Sequence, residues 1–168
     1  SFITGFPTWG TLISLSINGK IVLGIADFPA LNERYVGYGK ISYKLINNRK
    51  KILKVKSNSL SKSILSSTST YAFKNKNDKN TFEKILKKVK TVHMGGDCYQ
   101  YCLLADGYID IVLESGLNSY DIRALIPIVK NSGGSIKTWD GEDPKNGGKV
   151  IATSSRKLLS RVQSLIVE

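Results

Sequence analysis

The sequence is poor in the residues that staple, kink or metallate a fold. Its 168 residues hold only two cysteines, one histidine, one methionine and four prolines. Cys98 and Cys102 stand four apart on a predicted helix, a spacing that suits one buried face. A bridge within one helix has poor geometry, so no disulfide framework is expected, and reduced cytoplasmic thiols are the default. His93 with the two cysteines falls short of the four ligands a structural zinc ion takes. No run approaches the ~18 consecutive apolar residues of a membrane span. No basic leader followed by an apolar run opens the chain, so neither a membrane nor a secretory route is expected. Methionine is also missing from position 1, and Ser1 predicts a processed product, a fragment or a partial clone.

Acidic residues are scarce as well: 13 Asp plus Glu stand against 25 Lys plus Arg, for a formal charge of +12. Such a balance favours phosphate-bearing partners. The lysines are scattered among Asn, Ser and Ile, and no basic patch interleaves with aromatics as single-strand binders require. Nucleic acid is therefore not an expected partner. The hydrophobic share, 41%, is enough for a real core, and the length suits one domain or two closely associated units.

Residues 11–17 alternate as a half-buried strand does. Asn18-Gly19 supplies the pair that a type I′ turn requires, and Lys20 to Ala26 reads as the returning strand. Glu33 to Tyr38, Tyr43 to Ile46 and Ile52 to Val55 extend an antiparallel meander, the last two around Asn47-Asn48. The chain offers no obvious partner face for several of these strands. A Ser-rich stretch over 57–63 marks a boundary. Beyond it the expected elements alternate: strand Ile64 to Ser67, a helix with a capping-box pattern at Asn80 and Glu83, strand Thr91 to Met94, helix Asp97 to Ala105, strand Tyr108 to Leu113, helix Tyr120 to Asn131, strands Ser135 to Trp139 and Lys149 to Ala152. A last helix follows Ser154 or Ser155, with Leu158, Leu159, Val162, Leu165 and Ile166 on its apolar face.

Two places have the form of a site. At Met94-Gly95-Gly96-Asp97-Cys98-Tyr99 a strand ends, glycines turn the chain and a helix begins. Free backbone N–H groups and the helix dipole attract anions there, although Asp97 serving as an ordinary N-cap explains the pattern as well. Glu114 closes an apolar strand and Asp121 opens an apolar helix, and such ends face the ligand crevice of α/β layers. Asp121 reads either as a cap or as a ligand for a hard cation such as Mg²⁺.

Together three segments resemble the inositol monophosphatase superfamily, and most closely its histidinol-phosphate phosphatase branch. They are Ser1-Phe2-Ile3-Thr4-Gly5-Phe6-Pro7-Thr8-Trp9-Gly10-Thr11-Leu12, then Gly95-Gly96-Asp97-Cys98-Tyr99, then Glu114-Ser115-Gly116-Leu117 with Tyr120-Asp121. The resemblance implies an α/β fold of alternating αβαβα layers, with a large antiparallel sheet first and a smaller mixed sheet second. Residues 1–56 would be the tail of the first sheet, and residues 57–168 the C-terminal α/β unit. It implies a Mg²⁺-dependent phosphomonoesterase acting on a small phosphorylated substrate. Asp121 would bind a metal, Glu114 would hold the non-phosphate part of the substrate, and Gly96, Asp97 and Cys98 would offer it backbone groups.

The family's other metal ligands come from a Glu and an Asp-Pro-Ile-Asp-Gly-Thr segment, and neither occurs in these residues. No catalytic set is complete here. The chain alone is expected to be inactive, to bind no Mg²⁺, and to self-associate through its open sheet. A non-catalytic basic module that binds an anion or a partner, and a bare structural fragment, remain the alternatives.

Overall fold

In the computed structural model residues 2–47 and 49–167 are described. Asn48, half of the turn expected at Asn47-Asn48, lies outside them, as do Ser1 and Glu168. The first sheet is a five-stranded antiparallel meander in sequence order: β1 (Thr11–Ile17), β2 (Lys20–Phe28), β3 (Glu33–Tyr38), β4 (Ile41–Ile46) and β5 (Arg49–Ile52). Asn18 and Gly19 both have positive φ, 49° and 74°, as a type I′ turn demands. The fifth strand begins three residues before its expected start at Ile52. Arg49, Lys50 and Lys51 occupy a sheet edge, where charge is tolerated and blunts pairing, so the strand carries no apolar alternation. The Leu53 N–H still bonds Ser42 O of β4 at 2.8 Å, and Val55 then leaves the sheet, its N–H reaching Ser132 O at 3.1 Å.

The second sheet is mixed. Its strands β6 (Ile64–Ser67), β7 (Thr91–Met94), β8 (Ile111–Leu117), β9 (Ser135–Thr138) and β10 (Gly148–Thr153) lie in the order β7-β6-β8-β10-β9. β6 runs parallel to β7 and β8, whereas β10 is antiparallel to β8 and β9. The helices are α1 (Lys76–Leu86), α2 (Tyr99–Ala105), α3 (Ser119–Ile122), α4 (Leu125–Asn131) and α5 (Arg156–Val167).

Several boundaries differ from the sequence expectation, and four of them have a local cause. α1 starts a turn before Asn80, because Asn75 caps it by accepting the Asp78 N–H at 2.8 Å. α2 starts at Tyr99, because Asp97 is left-handed, φ 44°, and cannot open a helix. β8 passes Glu114 and runs to Leu117, through a register shift opposite Gly148 and Val150 that Gly116, φ 81°, accommodates. The helix expected over 120–131 is broken into α3 and α4. Pro127 has no N–H for the carbonyl of Arg123, and its ring crowds that turn.

The layers alternate: first sheet, α2 with α4, second sheet, α1 with α5. One apolar cluster joins Phe28, Tyr35 and Leu53 of the first sheet segment to Leu104, Ile128 and Val150 of the second. A second cluster fills the far side of the mixed sheet, where Phe82 and Ile85 meet Leu158 and Val162. Fully burying a side chain such as Val162 contributes about 1.5–3 kcal/mol. The partner face that the sequence did not reveal is α4, which lies directly on the meander. Gly24 and Gly37 face each other across β2 and β3. A Cβ on Gly24 would stand 1.9 Å from the carbonyl oxygen of Ala124, and one on Gly37 2.4 Å from the Ile128 nitrogen. Ser42 completes the seat, its hydroxyl donating to Ile128 O at 2.7 Å.

Candidate active site

β8 carries Glu114 opposite Val150 in the middle of the mixed sheet, and the side chain is buried. Its Oε1 accepts the Thr68 N–H at 2.6 Å and the side-chain amide of Gln100. Gln100 is itself fixed: Nε2 also reaches Thr68 Oγ1 at 3.0 Å, and Oε1 accepts the Ser66 hydroxyl at 2.7 Å. Burial pushes the Glu114 carboxyl above the ordinary carboxylate range. The bonds from Thr68 and Gln100 pull the other way, and the charge of Asp97 adds to the rise.

Asp121 sits in the first turn of α3. Its Oδ2 accepts the Asn118 N–H at 2.7 Å and closes a capping box with the Asn118 side chain. The glycine turn between β7 and α2 holds three successive left-handed residues, Gly95, Gly96 and Asp97. Gly95 N–H is bonded to Ser67 O at 2.9 Å, and Tyr99 N–H to Gly96 O at 2.8 Å. Burial, assisted by the Asp97 charge, pushes the Cys98 thiol up to about 12, so it stays protonated and offers no thiolate nucleophile.

These elements meet in a cleft of about 490 Å³. Asp97, Cys98, Glu114 and Asp121 line it together, with Thr8 and Trp9 closing it from the N-terminal segment. Gly96 lines an adjoining cavity of about 370 Å³ instead, which shares Thr8, Asp97 and Gln100 with the cleft. Four of the five site residues named from sequence thus share one wall system, and the fifth is beside it. Sequence reasoning missed Gln100 and Tyr101. Both lie on the part of α2 that reads as plain apolar core, and only three-dimensional packing reveals what their polar ends meet. Tyr101 is buried, lines the cleft, and its hydroxyl has no hydrogen-bond partner among the described residues.

A second polar cluster ties the cleft to the first sheet. Glu33 Oε1 pairs with Lys44 Nζ at 3.0 Å, and Oε2 accepts the hydroxyls of Tyr35 at 2.8 Å and Tyr99 at 2.9 Å. Burial alone would raise the Glu33 carboxyl, but these three donors outweigh it and hold the pKa down. Tyr99 is the first residue of α2, so the bond steadies the end of the glycine turn.

Mg²⁺ retains its waters unless several oxygens replace them in good geometry. Asp121 already spends Oδ2 on its cap, and among the described residues no three His, Cys, Asp or Glu side chains group as a metal centre. These residues supply at most part of a Mg²⁺ site.

A meander on α2 and α4, backed by a mixed sheet whose strand and helix ends bring carboxylates to one cleft, has the layered architecture of the sugar phosphatases. The inositol monophosphatase family model matches residues 1–168, and the chain belongs to that family. It is 42% identical over 142 residues to the chloroplastic bifunctional phosphatase IMPL2 of Arabidopsis thaliana, covering 84% of this chain and 40% of that protein. It is 30% identical over 162 residues to the histidinol-phosphatase of Mycobacterium tuberculosis, covering 92% of this chain and 60% of that one. An inositol monophosphatase structure from Zymomonas mobilis superposes with a TM-score of 0.91 at 36% identity, over 99% of this chain and 66% of the other. The chain therefore spans 40% and 60% of the lengths of those two curated relatives. No helix among the described residues is long and apolar enough to cross a membrane.

Proposed function

We propose that this chain is the substrate-side half of a Mg²⁺-dependent phosphomonoesterase acting on histidinol phosphate or an inositol phosphate. The observation that carries the reading is the single cleft in which Asp97, Glu114 and Asp121 converge, in a chain matched along its whole length by the inositol monophosphatase family. Its relatives include histidinol-phosphatases, and the Gly-Asp-Cys-Tyr turn favours that substrate class. Glu114 holds the alcohol part of the ester, the backbone of the Gly96 to Cys98 turn meets the substrate, and Asp121 offers one metal ligand. Bound Mg²⁺ would neutralise phosphate oxygens and lower the pKa of a water. The remaining ligands belong to polypeptide outside these residues, so the 168-residue chain assayed alone releases no phosphate. Free Cys98 and Cys102 support a reducing compartment, in keeping with the cytoplasm.

The test is phosphate release from histidinol phosphate and inositol monophosphate in millimolar Mg²⁺, by the native gene product and by the 168-residue chain. Activity in the first, abolished by Asp121→Asn, and none in the second is the expected pattern. Turnover by the short chain would remove the need for outside ligands. Inactivity of both, with tight phosphate binding, would favour the non-catalytic basic module that a charge of +12 leaves open.

The short chain also self-associates on this reading, a second copy covering the outer face of its meander. There Ile13, Ile25, Val36, Tyr43 and Ile52 are in register across all five strands, and Ile13 and Ile52 are exposed.

A further inference from the structure

A buried hydroxyl without a partner is costly, and native proteins rarely leave one so. Among the described residues, the side-chain atoms in that position are Ser67 Oγ, Tyr101 Oη and an oxygen of Asp106. The Asp106 oxygen has Lys44 Nζ at 3.3 Å, and Ser67 belongs to β6 without lining the cleft. Tyr101 alone of the three lines the cleft, and it does so beside Glu114 and Asp121.

The surroundings define what the hydroxyl meets. Burial, with the charges of Glu114 and Asp121 behind it, holds the phenol protonated, so it has a proton to donate. The Glu114 carboxylate, which has no metal to hold on this reading, repels a phosphate dianion and directs the organic part of a substrate to its corner. The Thr68 N–H and the Gln100 amide both fall on Glu114 Oε1, and the Thr68 hydroxyl is a further donor to the carboxylate. A ligand group placed there must donate to Glu114 and accept from Tyr101. Hydroxyls and a neutral imidazole do both, whereas an ammonium only donates.

We propose that Tyr101 is a substrate-contact residue which, with Glu114, grips a hydroxyl or a neutral imidazole on the alcohol part of the phosphate ester. The inference rests on the phosphatase reading for the identity of the ligand, but its geometry is independent of turnover. The ester's own alcohol decides between the two groups: a polyol presents hydroxyls, histidinol its imidazole.

The experiment is Tyr101→Phe in the native gene product, which deletes one oxygen and keeps the ring. Three quantities are read: the melting temperature without ligand, calorimetric affinities for myo-inositol, L-histidinol and inorganic phosphate, and KM and kcat for the two esters. Affinity for one of the alcohols should fall about tenfold, the scale of one lost hydrogen bond, with KM for its ester following and kcat changing less. Phosphate affinity should hold, and the melting temperature should stay level or rise, because an unpaired buried donor has been removed. Unchanged affinity for both alcohols overturns the proposal. So does a lowered melting temperature with intact affinity, which marks a structural hydroxyl, and so does failure of the parent protein to bind either alcohol. If the protein hydrolyses neither ester yet Tyr101→Phe still weakens alcohol binding, the contact stands and the phosphatase reading falls.

Discussion

The side-chain amide of Gln100 donates to Oε1 of Glu114, and both side chains are buried at the wall of the cleft. A donor aimed at a carboxylate favours its charged form. Gln100→Met keeps the length and deletes the donor. The Glu114 carboxyl should then titrate higher still, as followed by its side-chain carbon resonance. Stability in denaturant should fall by about 1–2 kcal/mol, since Ser66 and Thr68 lose a partner too. An unmoved titration would show that the amide does nothing for the carboxylate.

Glu114 itself makes stability depend on pH. Its folded pKa lies above the ordinary 4.5, so the native state holds the proton longer than the unfolded chain. Stability is then greatest below 4.5 and declines as pH rises through the raised folded value. Glu114→Gln keeps an acceptor for Thr68 and Gln100 and removes the buried charge. The variant should be more stable than the parent at neutral pH, with the gap closing in acid. Thermal melts across the range decide this, and a gap that widens in acid would reverse the sign.

Glu33 has the opposite slope. Its pKa is held below 4.5, so its contribution is present above that value and lost as pH falls through the lower folded one. Glu33→Gln breaks the pairing with Lys44 and weakens the bonds from Tyr35 and Tyr99. The cost at neutral pH should be about 1.5–3 kcal/mol, the range for hydrogen bonds to a charged group, and should vanish in acid. Denaturant midpoints at both pH values measure it.

Asp121→Asn separates a structural role from a functional one. Asparagine still accepts the Asn118 N–H, so the cap survives and the melting temperature should move by only a few degrees. Turnover of the native gene product should fall ~100-fold or more, the scale on which loss of one charge-stabilising group is felt. A variant that unfolds, or one that keeps its rate, would each remove Asp121 from the reaction.

Sedimentation of the short chain should show concentration-dependent association through the meander's outer face. Ile13→Lys places a charge in the middle of the apolar row's exposed end and should shift the population to monomer. A parent chain that stays monomeric at high concentration ends that proposal.

Local chemistry made much of this fold legible. Asn18-Gly19 dictates its turn whatever surrounds it, and β3 and β7 fall on the runs expected as strands before glycine turns. Elements held by distant partners were not legible. β5 is an edge whose lysines hide the strand, and α1 begins where Asn75 happens to meet Asp78. Asp97, Cys98, Glu114 and Asp121 announced themselves as charged or reactive residues at element ends. Gln100 and Tyr101 did not, because a polar atom on an apolar helix face declares its purpose only when its neighbours are in place.

The contact between α4 and the paired glycines of β2 and β3 reaches beyond packing. The chain continues from α3, which carries Asp121, straight into α4 through Ala124, and the oxygen of Ala124 rests over Gly24. The helix behaves as a lever whose fulcrum is bare backbone. One methyl group at position 24 would act as a wedge beneath Ala124, three residues along the chain from the Asp121 carboxylate. Position 24 thereby bears on the seat of the segment that leads from Asp121 into α4, without carrying any functional group itself.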